Sequence, residues 1–166
     1  MGTALDKQQR HGVPIVLVGV LITAAYALIG ALEILVWNPV AAVPGMSLKE
    51  IKTAMSSANE PLLEAPVYVW ALVVPVLALA GGTFSIMRFP DRPWRIIRFF
   101  LIIIMLGMPT YYFFSFNPGM SIADAFATTG GDNSPWSRIL YGMSLLATFL
   151  LLVTRKKKDQ TRRKAA

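Results

Sequence analysis

The run PIVLVGVLITAAYALIGALEILVW, residues 14–37, contains one charged side chain, Glu33. At 1.5 Å of rise per helical residue it is long enough to cross the roughly 30 Å hydrocarbon core of a bilayer, and it reads as a transmembrane helix. Lys7 and Arg10 precede it and Ala41 and Ala42 follow, as in a secretory signal. The apolar run nevertheless exceeds the ~7–15 residues of a signal core, so a retained span is expected. Position 6 is Asp6 where a myristoylation motif requires Ser or Thr.

Working outward, apolar runs recur at 67–87, 96–116 and 136–154. In a chain of 166 residues, 55% of them hydrophobic and only 15% charged, this composition belongs to membrane proteins. The expected fold is all-α with four transmembrane helices. The basic residues orient them. Segments 1–13, 88–98 and 155–166 hold two, four and seven Lys or Arg, so 13 of the 16 fall on one side and only Lys49, Lys52 and Arg138 on the other. By the positive-inside rule both termini are cytoplasmic, in a multi-pass protein of the plasma (inner) membrane. Trp37, Tyr68, Trp70, Tyr111, Tyr112 and Trp136 gather at the outer ends, where aromatic side chains favour the interface.

The resulting division is a leader at 1–13, a helical hairpin at 14–87 with an outer loop at 38–66, and a basic loop at 88–95. A second hairpin follows at 96–154, with an outer loop at 117–135, and a basic tail at 155–166. The net charge of +7 is therefore juxtamembrane and points to no nucleic acid. Arg155, Lys156, Lys157, Lys158, Arg162, Arg163 and Lys164 are expected to meet anionic lipid at the cytoplasmic face. There is no cysteine, which removes disulfides, thiolate-held clusters and covalent haem, and the single histidine, His11, lies in the leader. Neither a cofactor nor a metal site is expected.

Two loop stretches share a phrase: WNPVAAVPGMSLKE at 37–50 and FNPGMSIAD at 116–124. Asn-Pro after an aromatic should end a span, because Pro breaks the hydrogen-bond ladder and restrains the residue before it. Pro-Gly then turns the chain. Ser47 with Glu50, and Ser121 with Asp124, have the spacing of a capping box. Each outer loop is thus expected to hold a short amphipathic helix, opening at Ser47 and at Ser121. Leu48, Ile51 and Met55 in one, and Ile122 and Phe126 in the other, form the expected docking surface for a partner. The shared phrase suggests that the two hairpins are a parallel internal repeat. Ser134-Pro135 reads as the cap opening the fourth span.

Inside the spans, Glu33 is the one acid, and an intramembrane acid is a functional candidate. It shares a helix face with Tyr26 and stands one turn from Trp37, so snorkelling to the interface or pairing with Arg138 is expected. No nucleophile–base pair, zinc motif or phosphate loop appears, and no enzyme is expected. The expected function is a non-catalytic accessory or assembly subunit of a larger membrane complex, respiratory or otherwise energy-transducing. The alternative is a small homo-oligomeric channel or transporter using Glu33.

Overall fold

The computed structural model describes the backbone of residues 2–164 and the side chains of residues 12–154. The basic tail and the leader to His11 therefore lie outside the described side chains, the expected lipid contacts at Arg155 to Lys164 included. Among the described residues the secondary structure is entirely helical. Helix α1 (Gly2–Leu32) passes through a π-helical turn at Glu33–Trp37 into α2 (Asn38–Ala42). It is followed by α3 (Leu48–Ser57), α4 (Glu64–Arg88), α5 (Pro93–Met105), α6 (Gly107–Phe126) and α7 (Ser137–Lys164). Four stretches are long and apolar enough to cross a membrane: Gly12–Ala42, Glu64–Arg88, Pro93–Phe126 and Ser137–Thr154.

These spans run further than the sequence rules place them. Asn38-Pro39 does not stop the first. The turn before it widens, so that Asn38 N–H donates to Glu33 O, five residues back. A widened turn gives the proline ring room and absorbs the missing donor, and the helix resumes to Ala42.

The second copy departs more strongly. Residues 117–121 lie within α6, with Pro118 inside the helix, and the chain turns only at Ala127, whose φ is +52°. Ser121 is buried mid-helix and opens no surface helix. Ser47 behaves as expected. Its N–H and its hydroxyl both donate to Glu50 Oε2 (2.8 and 2.7 Å), and Glu50 N–H donates to Ser47 Oγ (3.4 Å). Gly45 sits in a turn at φ +91° with open space around it, whereas Gly119 is helical and meets the backbone of Gly130. The shared phrase thus adopts two unrelated backbones and gives no support to an internal repeat.

The expected docking surface is likewise inverted. Ile51, Met55 and Ile122 are buried against one another, with Phe126 packed at their edge and Leu48 half-buried. Lacking the break at Pro118, α6 reaches the level of α3, and the two apolar faces cover each other. The amphipathic faces close the bundle instead of presenting themselves to a partner.

The Ser47 hydroxyl and, less strongly, its backbone N–H hold the Glu50 carboxyl below the ordinary carboxylate range. A depressed folded-state pKa means that the capping contribution is present above the unfolded value and is lost as pH falls through the folded one. Ser47→Ala should remove about 1 kcal/mol from α3 at neutral pH. Hydrogen exchange should show faster exchange in residues 48–57 of the variant, and acidification, which weakens only the carboxylate half of the box, should move the wild type part of the way toward it after correction for the intrinsic rate. Equal exchange at neutral pH would remove the cap from the account.

The four spans pack through close approaches. Val16, Ala78, Ile96 and Phe100 form a core toward the basic loop, where Phe100 lies over Gly19 and Gly82. Tyr26, Ile34, Trp70, Ile104, Tyr111 and Leu140 form the larger core, in which Trp70 covers Gly30 and Tyr26 covers Gly107. Gly19, Thr23, Ala27 and Ala31, a stripe of small residues on α1, are all buried, as close helix approach in lipid requires.

Candidate functional site

Two polar clusters lie within the spans. The inner one forms where α5 stops and α6 begins. In an unbroken helix Met108 N–H would donate to Ile104 O, but Pro109 interrupts the ladder here and the Ser144 hydroxyl of α7 enters the gap. Ser144 Oγ donates to Ile104 O (2.8 Å) and accepts from Met108 N–H (3.1 Å). Its one proton is committed to the carbonyl, so the Tyr26 hydroxyl 3.1 Å away is the donor in their contact. One serine thereby satisfies both sides of the break and joins α1, α5, α6 and α7. Both Tyr26 and Ser144 are only 2% exposed.

The outer cluster forms around Glu33, at the start of the π-helical turn. Glu33 is fully buried, and Ser134 Oγ donates to its Oε2 (2.9 Å). Its other oxygen, Oε1, is buried without a hydrogen-bond partner, as is Trp70 Nε1. Beside it, Asp132 Oδ1 accepts from the Tyr111 hydroxyl (2.9 Å) and Oδ2 from the Tyr141 hydroxyl. Asn133 N–H donates to Asn38 Oδ1 (2.6 Å), tying the loop to the residue that follows the widened turn. Trp37 and Trp136 lie against each other with ring centroids 5.0 Å apart. Both contribute to the lining of a cleft of about 320 Å³, and Ser134 stands in its wall.

Arg138 takes no part. It is exposed, and Ser134, Ser137 and Leu140 occupy the inward face of this segment. A residue next to Ser137 is turned about 100° away on a helix, so charge complementarity is overruled by helical phase. Glu33 does not snorkel either, since the 130–136 loop closes over it. Nor do Tyr26 and Glu33 form one site: the Tyr26 hydroxyl bonds across to Ser144, and Glu33 bonds outward to the loop. Ser134-Pro135 does mark the start of the last span, for Trp136 N–H donates to Ser134 Oγ (3.4 Å), with regular helix from Ser137.

Sequence reasoning missed Asp132, Ser134 and Tyr141 as members of the outer cluster. Ser134 lies 101 residues from Glu33, and no spacing rule connects them. Among the described residues no three His, Cys, Asp or Glu side chains come together in a metal-holding group. Compared with protein-family models, with curated proteins and with solved structures, the chain matches none.

Proposed function

We propose that this chain is a non-catalytic, cofactor-free accessory or assembly subunit of a larger membrane complex, of respiratory or other energy-transducing type. It works as two helical hairpins in the plasma (inner) membrane, with both termini cytoplasmic on the strength of the 13 basic residues on that side. The observation that supports a structural role is the use made of the intramembrane polar groups. Tyr26, Ser144, Ser134 and Asn38 all bond to other parts of the same chain, and each is buried. Such bonds hold helices in register. They leave an outer surface that is apolar and locally aromatic.

With Ile51, Met55 and Ile122 buried, the partner contact moves to α6. Tyr112, Phe113 and Phe116 are 62%, 74% and 56% exposed around a crevice of about 520 Å³ that Leu63 and Pro66 share. Aromatic anchors beside a pocket are the usual centre of a protein interface. Mild extraction from native membranes, sizing and mass spectrometry should find larger subunits travelling with the chain. Replacing Tyr112, Phe113 and Phe116 together by alanine should reduce them about tenfold, with membrane insertion unchanged.

One observation favours the second reading, a small homo-oligomeric channel or transporter: Glu33 Oε1 has no partner, and Ser134 links that carboxyl to the outer cleft. A chain that purifies only with itself, and that loses proton or ion flux on Glu33→Gln with its assembly intact, would replace the first reading by this one.

A further inference from the structure

Helices α1 and α7 both pack against α5 and touch each other little, and a groove lies among the three. The groove is about 330 Å³ and its lining includes Ile15 and Ile22 of α1, Ile97 and Ile104 of α5, and Met143 and Leu150 of α7. On each of the three helices the lining residues span seven positions, about 11 Å along the axis. That approaches the roughly 15 Å depth of one leaflet's hydrocarbon. The groove lies on the basic side of the hydrogen-bonded Tyr26–Ser144 pair, which joins α1 to α7 beyond it.

We propose that this groove holds one acyl chain of an anionic phospholipid from the leaflet on the basic side of the protein. The lining is apolar, as a hydrocarbon chain requires, and it runs about two-thirds of the depth of one leaflet. A crossing partner helix, roughly 30 Å long in the hydrocarbon, would fill it over only about a third of its own length. The mouth supplies the headgroup chemistry. Trp94, 42% exposed, lies two turns from Leu101 on the same face of α5, at interfacial depth. Arg98, half-buried, lies one turn from Leu101, and Arg92 and Arg95 precede it. Cationic side chains at the surface favour an anionic headgroup. This inference does not depend on the accessory-subunit reading.

The test is native mass spectrometry of the intact purified chain, offered dioleoyl phosphatidylglycerol or dioleoyl phosphatidylcholine. One phosphatidylglycerol should be retained in preference to phosphatidylcholine. Val18 and Leu146, 56% and 58% exposed, stand on opposite rims of the groove and contribute little to the packed core. Val18→Trp, and independently Leu146→Trp, should fill it and reduce retention about tenfold, or 1.4 kcal/mol. Arg98→Gln should reduce it several-fold, and Leu72→Trp, on the exposed face of α4, should leave it unchanged. Retention unaffected by both groove-filling variants overturns the site, and equal retention of the two lipids overturns its anionic character. A photoreactive residue at Ile22 that cross-links in membranes to another polypeptide, and not to lipid, assigns the groove to a protein partner and also overturns the proposal.

Discussion

Replacing Ser144 by alanine should destabilise the bundle by about 2–4 kcal/mol, because it strips a hydrogen-bond partner from two buried groups and one half-buried one, at about 1–3 kcal/mol for each buried group, and Ile104 O keeps the Leu106 N–H. The groups are Ile104 O, Met108 N–H and the Tyr26 hydroxyl, all satisfied by one side chain. Recovery is limited by packing. The break could close directly if α6 straightened onto α5, but Gly107 lies under the Tyr26 ring, where an added Cβ would be 2.6 Å from Cζ. Tyr26→Phe alone should cost far less, about 0.6 kcal/mol, the average for a hydrogen bond between membrane helices. Ser144 then keeps both backbone bonds. The combination separates this account from simple loss of volume. In the alanine background the Tyr26 hydroxyl is itself an orphan, so adding Tyr26→Phe should recover part of the stability. Reversible unfolding in detergent measures all three variants. A double mutant less stable than Ser144→Ala would show that the tyrosine has another partner and that the serine is not the node.

How far the sequence announces this arrangement differs residue by residue. The spans are legible because desolvation leaves a long apolar run little choice but to become a helix, and the break between α5 and α6 falls beside Pro109, which lacks a backbone donor. The identity of the group that repairs the break is less legible. Ser144 and Thr148 stand four apart in an apolar run, and only the fold shows that Ser144 faces the gap at residue 104 while Thr148 bonds back to Ser144 O (2.8 Å). The helix ends were misread wherever a local rule competed with packing. At Asn38 the widened turn accommodates proline, and at Ser121 a capping spacing yields to a helix whose Ile122 gains burial against Ile51 and Met55. Glu33 was legible as a candidate and its partner was not, because the sign of Arg138 says nothing about which face of α7 it occupies.

Gly119→Ala should have the second large effect, and it ties the misread phrase to the outer cluster. A Cβ at this position would lie 2.5 Å from Gly130 O, a backbone atom that cannot rotate away. The loop must therefore move, at about 1–3 kcal/mol for overpacking. Gly130 begins the segment that carries Asp132 to Tyr111 and Tyr141, Asn133 to Asn38, and Ser134 to Glu33. Displacing it should loosen all of these contacts together and expose a carboxyl that is now fully buried. Glu33 should then become reactive toward a membrane-permeant carbodiimide in the variant while remaining protected in the wild type, with peptide mapping to assign the adduct. The spans should stay inserted, since the clash lies at one end of the bundle. Gly131→Ala is the matched control, for a Cβ there meets nothing within 4 Å. Protection of Glu33 in Gly119→Ala equal to that in Gly131→Ala would mean that the loop is not what covers the acid. The glycine of the second Pro-Gly-Met-Ser copy thus acts as a contact that lets the loop close over Glu33, whereas the glycine of the first makes a turn.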